Sequence, residues 1–487
     1  MKKINFLTAL ITLLISNLVF AQWSSDVRLT NNTGASFTSG NNAKNITIVG
    51  TVIHVVWYDA RFGDTEIMYK RSTNSGTSWE PVVRLTNNTG ASENPTIASY
   101  GNNLHVVWQD LRDGNHEIYY KVSTNAGTLW SGDTRLTNNI ATSVNPAVSI
   151  SVNTLTVVWN DDREGNNEIY FKRSTDGGYN WDPTVRITDN TSSSTNPSIS
   201  ALTDRIYIAW QDNRDGNNEI YYNYSTNTGT SWGADTRLTN NAASSKLPCI
   251  SAEPGSPSTL VHVVWQDDRD GNNEIYYRRS VINGTVWEPV QRITNSSGNS
   301  LAPAIITSSN NFVHLVWEDD RAAGIYGIYY NRSTNGGISW SSDLKLNTST
   351  ATARKPLIVR TGFEIHVVWQ DNRDNDYEIY YKQNLVGNVT TITNTGNNVP
   401  DKYSLSQNYP NPFNPITNIE FSIPNAGITK LVIYDALGRE VETLVNSELN
   451  PGTYSAVWDA SKYNSGVYFY RLTAGSYSET KKMILIK

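Results

Sequence analysis

Val263-Val264-Trp265-Gln266-Asp267-Asp268-Arg269-Asp270-Gly271-Asn272-Asn273-Glu274-Ile275-Tyr276-Tyr277 is one copy of a pattern that fills most of this chain. The copies place their tryptophan at Trp57, Trp108, Trp159, Trp210, Trp265, Trp317 and Trp369, at spacings of 51, 51, 51, 55, 52 and 52 residues. A fixed period of this length marks a repeat architecture in which each unit packs on its neighbours. The second copy reads as four short strands: Pro95 to Ser99, Leu104 to Asp110, Glu117 to Ser123 and Trp130 to Thr137. Alternation in Leu104-His105-Val106-Val107-Trp108 and turns at Gly101-Asn102-Asn103, Asp113-Gly114-Asn115 and Asn125-Ala126-Gly127 support that reading. Four strands per unit, repeated about an axis, make a β-propeller blade, and seven second strands predict seven blades.

The ends of the repeat region predict how the ring shuts. Each fourth strand closes on a signature such as Arg84-Leu85-Thr86 or Arg135-Leu136-Thr137, and Trp23 to Thr30 is an orphan copy with no three strands before it. That segment is expected to supply the outer strand of the last blade, removing an exposed sheet edge, with Val389 to Thr393 as its competitor. The one long spacing falls at Glu253-Pro254-Gly255-Ser256-Pro257-Ser258, between first and second strands. Beyond about residue 394 the vocabulary changes. A polar linker over 395–407 precedes a small antiparallel sandwich over 408–487, with strands expected at 417–423, 429–434, 452–458, 466–473 and 480–486.

The bulk properties bound the function. At 487 residues the chain is too long for one core, and its net charge of −6, with Lys and Arg spread through the repeats, offers no basic stripe for nucleic acid. Met1-Lys2-Lys3, the apolar run Ile4 to Phe20 and Ala21 read as a secretory signal peptide over 1–21, with no membrane span expected once it is removed. Cys249 is the only cysteine, so there is no disulfide framework, and it reads as a buried small hydrophobe.

Between third and fourth strands lies Ser174-Thr175-Asp176-Gly177-Gly178-Tyr179-Asn180-Trp181, with counterparts ending at Trp79, Trp130, Trp232, Trp287 and Trp340. Asp or Asn bonds the turn's own amides, Gly takes the positive φ, and Trp clamps the loop onto the blade. These six copies resemble the Asp-box, or BNR, repeat of sialidase-like propellers, although Asn replaces Asp in most and the fifth carries Ile282-Asn283. The resemblance implies a propeller of about 370 residues whose boxes are folding elements on the face away from any ligand. The Arg-Asp-Gly-Asn, Glu-Ile-Tyr and Arg-Leu-Thr runs are also similar to TolB-like propellers, whose role is protein interaction. Blade Trp, box Trp, Trp23 and Trp458 account for all 15 tryptophans, leaving none as a lone sugar platform.

Every blade carries an Asp and an Arg two apart: Asp59 and Arg61, Asp110 and Arg112, Asp161 and Arg163, Asp212 and Arg214, Asp267 and Arg269, Asp319 and Arg321, Asp371 and Arg373. On extended chain each pair shares the face of its Trp. They read either as a repeated ion pair and turn clamp or as a ring of polar loops forming a ligand-binding face opposite the boxes. Asp268, Asp270, Asn272 and Glu274 alternate like oxygen ligands, making calcium the one candidate cofactor, though Leu111 and Ala60 replace the first ligand elsewhere. His54, His105, His262, His314 and His366 recur too far apart to share a metal and read as packing between blades. A sialidase would need an arginine triad, a Tyr nucleophile with its Glu, and an Asp acid. The family's Phe-Arg-Ile-Pro motif is missing, no catalytic set is nominated, and the departures Tyr100, His116, Glu253, Arg354, Arg360 and Glu364 form no recognisable constellation.

The last segment is the most telling about biology. Asn408-Tyr409-Pro410-Asn411-Pro412-Phe413-Asn414-Pro415, Tyr434-Asp435-Ala436-Leu437-Gly438-Arg439, Gly452-Thr453-Tyr454, Gly466-Val467-Tyr468-Phe469-Tyr470 and the terminal Lys481 to Lys487 resemble a type A sorting domain of the type IX secretion system. That implies export across the outer membrane, by the type IX machinery, to the cell surface or the medium. The whole chain then reads as signal peptide, propeller over 22–394, linker, and sorting domain, secreted and monomeric. The expected function is non-catalytic recognition of a glycan or protein partner; the alternative is an exo-acting glycoside hydrolase of sialidase type.

Overall fold

The computed structural model describes residues 23–487 except 255–257, 309–310, 323, 362–363, 385–392, 397–399, 450, 461–462 and 487. The expected signal peptide over 1–21 and most of the competing segment at Val389 to Thr393 lie outside the described residues. The chain divides into two compact units, Trp23–Asn384 and a second that takes in Leu385–Lys487.

The first unit is all β. Among the described residues, seven antiparallel sheets succeed one another, each with four principal strands. The sheet of Trp108 consists of Ser92–Tyr100, Asn103–Asp110, Glu117–Ser123 and Thr134–Arg135. The fourth strand is shorter than the expected Trp130 to Thr137, because Trp130 leaves its own sheet to meet Tyr69 of the preceding one. Each innermost strand touches that of the next sheet, from Ile46–Val49 through Ser92–Tyr100, Ser143–Ser151, Ser194–Leu202, Ser245–Glu253 and Ser300–Ser308 to Ala353–Thr361. The last of these touches Ile46–Val49, so the series closes on itself.

Closure uses the N-terminal segment, as the orphan copy predicts. Val27–Arg28 is the outer strand of the last sheet, Val27 opposite Tyr381 and Arg28 opposite Tyr380, and Trp23 bridges Asn384. Asp26, nearly buried, pairs with Lys382 and Arg373 at 2.9 Å each, which ties the two ends of the domain by charge as well as by ladder.

The blades interlock at the same points all round. The box tryptophans stand edge-on to the third-strand Tyr or Phe of the blade before: Trp79 on Tyr381, Trp130 on Tyr69, Trp181 on Tyr120, Trp232 on Phe171, Trp287 on Tyr222 and Trp340 on Tyr277, with centroids 5.0–5.2 Å apart. The Trp therefore clamps its loop to the neighbouring blade, a correction to the expectation that it serves its own. Asn replaces Asp freely because the turn amide needs one Oδ1 acceptor: Asn74 Oδ1 accepts the Ser78 amide at 2.9 Å, as Asp176 Oδ1 accepts that of Asn180, while at the other atom Asn74 Nδ2 donates to Ser78 Oγ where Asp176 Oδ2 accepts Asn180 Nδ2. The histidines hold their own blade rather than the next, since His105 Nδ1 and Tyr120 Oη, on adjacent strands, lie 2.8 Å apart.

The first blade departs from the rule. Elsewhere two residues, such as Asn94 and Pro95, form a bulge in the innermost strand. Here Ser36–Phe37 and Ile46–Val49 are separated by a loop that crosses the axis. Its side chains bond innermost-strand carbonyls of four other blades: Ser39 donates to Pro95, Asn41 to Pro146, and Asn42 to both Leu247 and Pro303. The loop is a plug across the ring.

The second unit is a sandwich of two four-stranded sheets around Phe421, Trp458, Tyr470 and Met483. One runs Thr393–Gly396, Gly452–Asp459, Ile416–Ile423, Ser404–Leu405; the other Glu440–Leu449, Gly427–Tyr434, Gly466–Ala474, Tyr477–Leu485. Two of these strands lie at least partly in the stretch read as a linker, and Glu440–Leu449 is an eighth strand beyond the five expected. Its ladder with Gly427–Tyr434 is broken by two register shifts, and the matching irregularity in sequence hides the alternation.

Candidate functional site

The Asp and Arg pairs stand where second strands end, each closing its own turn. Asp267 is fully buried; its Oδ1 accepts Arg269 Nε at 2.8 Å and the Arg269 amide at 3.1 Å. Its Oδ2 accepts Arg269 Nη2 at 2.5 Å, Trp265 Nε1 at 3.1 Å and Ser245 Oγ at 2.6 Å. The guanidinium lies 4.3 Å above the Tyr276 ring. The same bidentate geometry joins Asp59 to Arg61, Asp110 to Arg112, Asp161 to Arg163, Asp212 to Arg214 and Asp319 to Arg321, while Asp371 meets Arg373 through Nη2 and its amide. Burial alone would raise the Asp267 pKa, but the Arg269, Ser245 and Trp265 donors outweigh it and hold the carboxyl below its ordinary range. A second carboxylate takes Nη1 of four of the arginines: Asp133 for Arg112, Asp235 for Arg214, Asp343 for Arg321 and Asp26 for Arg373. Every carboxylate oxygen of the ring thus faces a donor of its own blade, which is the geometry of a turn clamp.

The oxygens considered for calcium are engaged as well. Asp268 Oδ1 accepts the Ser244 amide at 2.8 Å, Asp270 accepts the Tyr276 hydroxyl, Asn272 turns its Nδ2 toward Glu274, and Glu274 accepts Arg292 at 2.9 Å. Among the described residues, no group of three or more His, Cys, Asp or Glu side chains is placed to hold a metal.

What distinguishes one blade from another lies beside the plug. In four blades the Gln after the blade Trp reaches into the following blade: Gln109 Oε1 accepts the Asn145 amide at 3.0 Å, Gln211 that of Leu247 at 3.1 Å, Gln266 that of Ala302 at 3.0 Å, and Gln370 that of Thr38 at 3.2 Å. Blades three to five present Asn and Gln amides here, with Val144, Thr195 and Lys246 opposite them. Blades six, seven and one add the aromatic side chains Tyr326, Tyr377, Phe37 and Tyr58 to a charged pair. Glu318 replaces Gln and receives Arg354 Nη2 at 2.6 Å and the Lys355 amide at 2.7 Å. Arg354 lies 4.5 Å above the Tyr326 ring. Phe37 follows, 5.8 Å from Tyr377 and stacked at 5.3 Å on Tyr58. All of these except Glu318 are half-buried, with part of each surface open to solvent. Arg354 is therefore the one flagged departure that joins a surface cluster. Tyr58, Phe37, Tyr326 and Tyr377 went unnoticed because each replaces a residue inside a repeat whose frame is intact.

Glu253 meets a different fate. It is buried, 3.4 Å from His262 Nε2, and both carboxylate oxygens lack a hydrogen-bond donor. Enclosure on all sides makes it part of the interior.

Residues 59–315 match the family profile described as a BNR repeat-like domain. The chain belongs to that family. Residues 407–487 match a second profile, the secretion system C-terminal sorting domain, so the BNR repeat protein carries a type IX sorting domain and is exported to the surface or the medium. Among solved structures, the polysaccharide lyase Uly1 superposes with a TM-score of 0.52 at 10% identity, over 74% of this chain and 98% of its own. Trypanosoma rangeli sialidase gives 0.45 at 10% identity over 94% and 88%, and the Hadza microbial sialidase Hz136 gives 0.44 at 13% over 69% and 74%. At these identities the likeness concerns the fold of the BNR domain alone. A search of curated proteins returns no match. Among the described residues, no helix is long and apolar enough to cross a membrane.

Proposed function

We propose that this exported BNR propeller is a non-catalytic recognition module whose ligand is a glycan. The observation that carries the reading is the one-sided cluster of Tyr58, Phe37, Tyr377, Arg354 and Tyr326 beside the plug. Aromatic faces next to Asn and Gln amides suit sugar rings, which present apolar faces and hydroxyl edges together. The Asp and Arg ring serves as the frame that fixes these side chains. Two further features favour binding over catalysis. Asp59, Asp110, Asp161, Asp212, Asp267 and Asp319 are held ionised, their burial outweighed by arginine donors, and the tyrosines with displaced pKa among the described residues, Tyr58 at about 12 included, are all displaced upward by burial, away from a nucleophile.

The test is a glycan array probed with the mature chain. Binding that is lost in Tyr58→Ala and Arg354→Ala, and kept in Tyr179→Ala on the box loops, supports the reading. Binding to protein partners only, or turnover of a fluorogenic sialoside, overturns it.

A further inference from the structure

The clamp arginines are not satisfied equally all round the ring. In blade two a further carboxylate stands between the arginine and a third-strand lysine: Asp133 Oδ2 accepts Arg112 Nη1 at 2.7 Å and its Oδ1 accepts Lys121 Nζ at 2.9 Å. Asp26 bridges Arg373 and Lys382 in the same way in blade seven, at 2.9 Å each. In blades four and six, Asp235 and Asp343 join the arginine to an asparagine instead. Blades one and three keep both cations and lose the acid. Val82 and Thr184 stand where blade two has Asp133, and blade five repeats the loss with Val290.

The cations of blades one and three are nevertheless held as in blade two. Arg61 and Arg163 grip Asp59 and Asp161 through Nε and Nη2, as Arg112 grips Asp110, which leaves Nη1 over in each. Lys70 Nζ donates to the Leu29 carbonyl at 2.7 Å and Lys172 Nζ to that of Leu136 at 3.0 Å, the counterparts of the Lys121 bond to Leu85 and the Lys382 bond to Leu346. Among the described residues, no carboxylate pairs with Lys70 or Lys172, and none but Asp59 and Asp161 with the two arginines. Burial, and then the charge of the neighbouring arginine, push both amines below their ordinary range. Asp133 is itself 21% exposed, so the place that it fills in blade two opens to solvent.

We infer that the outer edges of blades one and three are binding sites for a carboxylate from outside the chain, one oxygen on the arginine Nη1 and the other on the lysine Nζ. The sister blades give the class of ligand, because there the same two donors take one oxygen each of a single carboxylate. Blade three is the better provided, since Thr184 adds a hydroxyl where Val82 offers only methyls. The open edge admits a carboxylate that is free, as a small organic acid, or carried on an acidic sugar. Bound there, it supplies the counter-charge that the chain itself supplies in blades two and seven. The inference does not depend on what the aromatic cluster binds.

Two measurements on the mature full-length chain test it. Crystals soaked in para-bromobenzoate should show an anomalous bromine peak beside Arg163 and Lys172 and none beside Arg112 and Lys121, where Asp133 already fills the place. No peak at blade three, or equal peaks at blades two and three, overturns the inference. In solution, acetate at about 100 mM should raise the melting temperature by roughly 1–2 °C over chloride at the same concentration. Thr184→Asp, which supplies the carboxylate from the chain, and Lys172→Met, which removes one cation, should each reduce that rise by about half, leaving blade one to give the rest. A rise with acetate shows that a free small acid suffices, and a rise with trigalacturonate alone, lost in Thr184→Asp, shows that the group must be carried on a sugar. A rise with neither, or one that both variants leave unchanged, overturns the inference.

Discussion

The indole of Trp23 stands edge-on to the ring of Tyr330, centroids 5.1 Å apart and planes at 72°. This repeats the contact of Trp79 with Tyr381 at 5.0 Å and 73°, but with the Trp supplied by the start of the chain and the Tyr by a blade some three hundred residues later. The ring is thus fastened at its seam by the device that fastens blade to blade. Trp23→Ala should lower unfolding free energy by about 2–3 kcal/mol, as removal of a large, partly buried aromatic does. Urea titration of the mature chain reads the change. An unaltered midpoint would mean that the Val27–Arg28 ladder and the Asp26 ion pairs hold the seam without the indole.

The box glycines separate two costs that are usually confounded. Gly127 and Gly177 both hold the left-handed backbone, at φ +79° and +75°. A Cβ on Gly127 would collide with the Tyr69 phenol of the preceding blade, whereas one on Gly177 meets nothing within 4 Å. Gly177→Ala should cost about 1 kcal/mol for the backbone alone. Gly127→Ala should cost about 3 kcal/mol, because overpacking against a buried ring is added. Thermal melts of the two variants compare them directly, and equal losses would remove the interlocking role assigned to the glycine.

These cases also show what was legible beforehand. The period, the four strands and the orphan strand were readable because each is a pattern the chain states several times. The partner of each box Trp was not, since Trp130 and Tyr69 lie in different repeats and nothing local links them. The plug was hidden for another reason: Thr38-Ser39-Gly40-Asn41-Asn42-Ala43-Lys44 reads as an ordinary polar loop. Its signal was a gap in register, since Ser36 is followed by far more than the two residues that separate Glu93 from Thr96. The clustering of Tyr58, Phe37, Tyr377, Arg354 and Tyr326 needed the ring itself, which brings blades six, seven and one side by side.

Acid should unfold the protein in two stages. His54 and His314 are held near pKa 3, and His105 and His366 near 4, all by burial against an ordinary value of 6.5. The folded values are lowered, so the unfolded chain binds protons first. The stability these residues carry is full above about 6.5 and is lost as pH falls toward 4. Below that, Asp59, Asp110 and Asp267, ordinarily at 3.8 and held lower, follow in the same direction. Urea midpoints between about pH 7 and pH 5 should fall with a slope above one proton per molecule. His105→Gln, which keeps a partner for the Tyr120 hydroxyl, should reduce that slope by about one proton; an unchanged slope would show that His105 does not titrate in this way.

The last prediction separates frame from site. Asp267 accepts five donors while fully buried, so Asp267→Ala strands the Arg269 guanidinium and the Trp265 N–H, and should cost about 2–4 kcal/mol. Arg354 keeps about a third of its side chain exposed, at 35%, and Arg354→Ala leaves Glu318 with the Lys355 amide as its donor. Its stability cost should stay near 1 kcal/mol. On the glycan array the order should reverse: Arg354→Ala loses the ligand and Asp267→Ala, assayed well below its melting point, keeps it. If Asp267→Ala also abolishes binding while folded, the Asp and Arg ring is itself the ligand face, and the division of labour drawn between clamp and aromatic cluster falls.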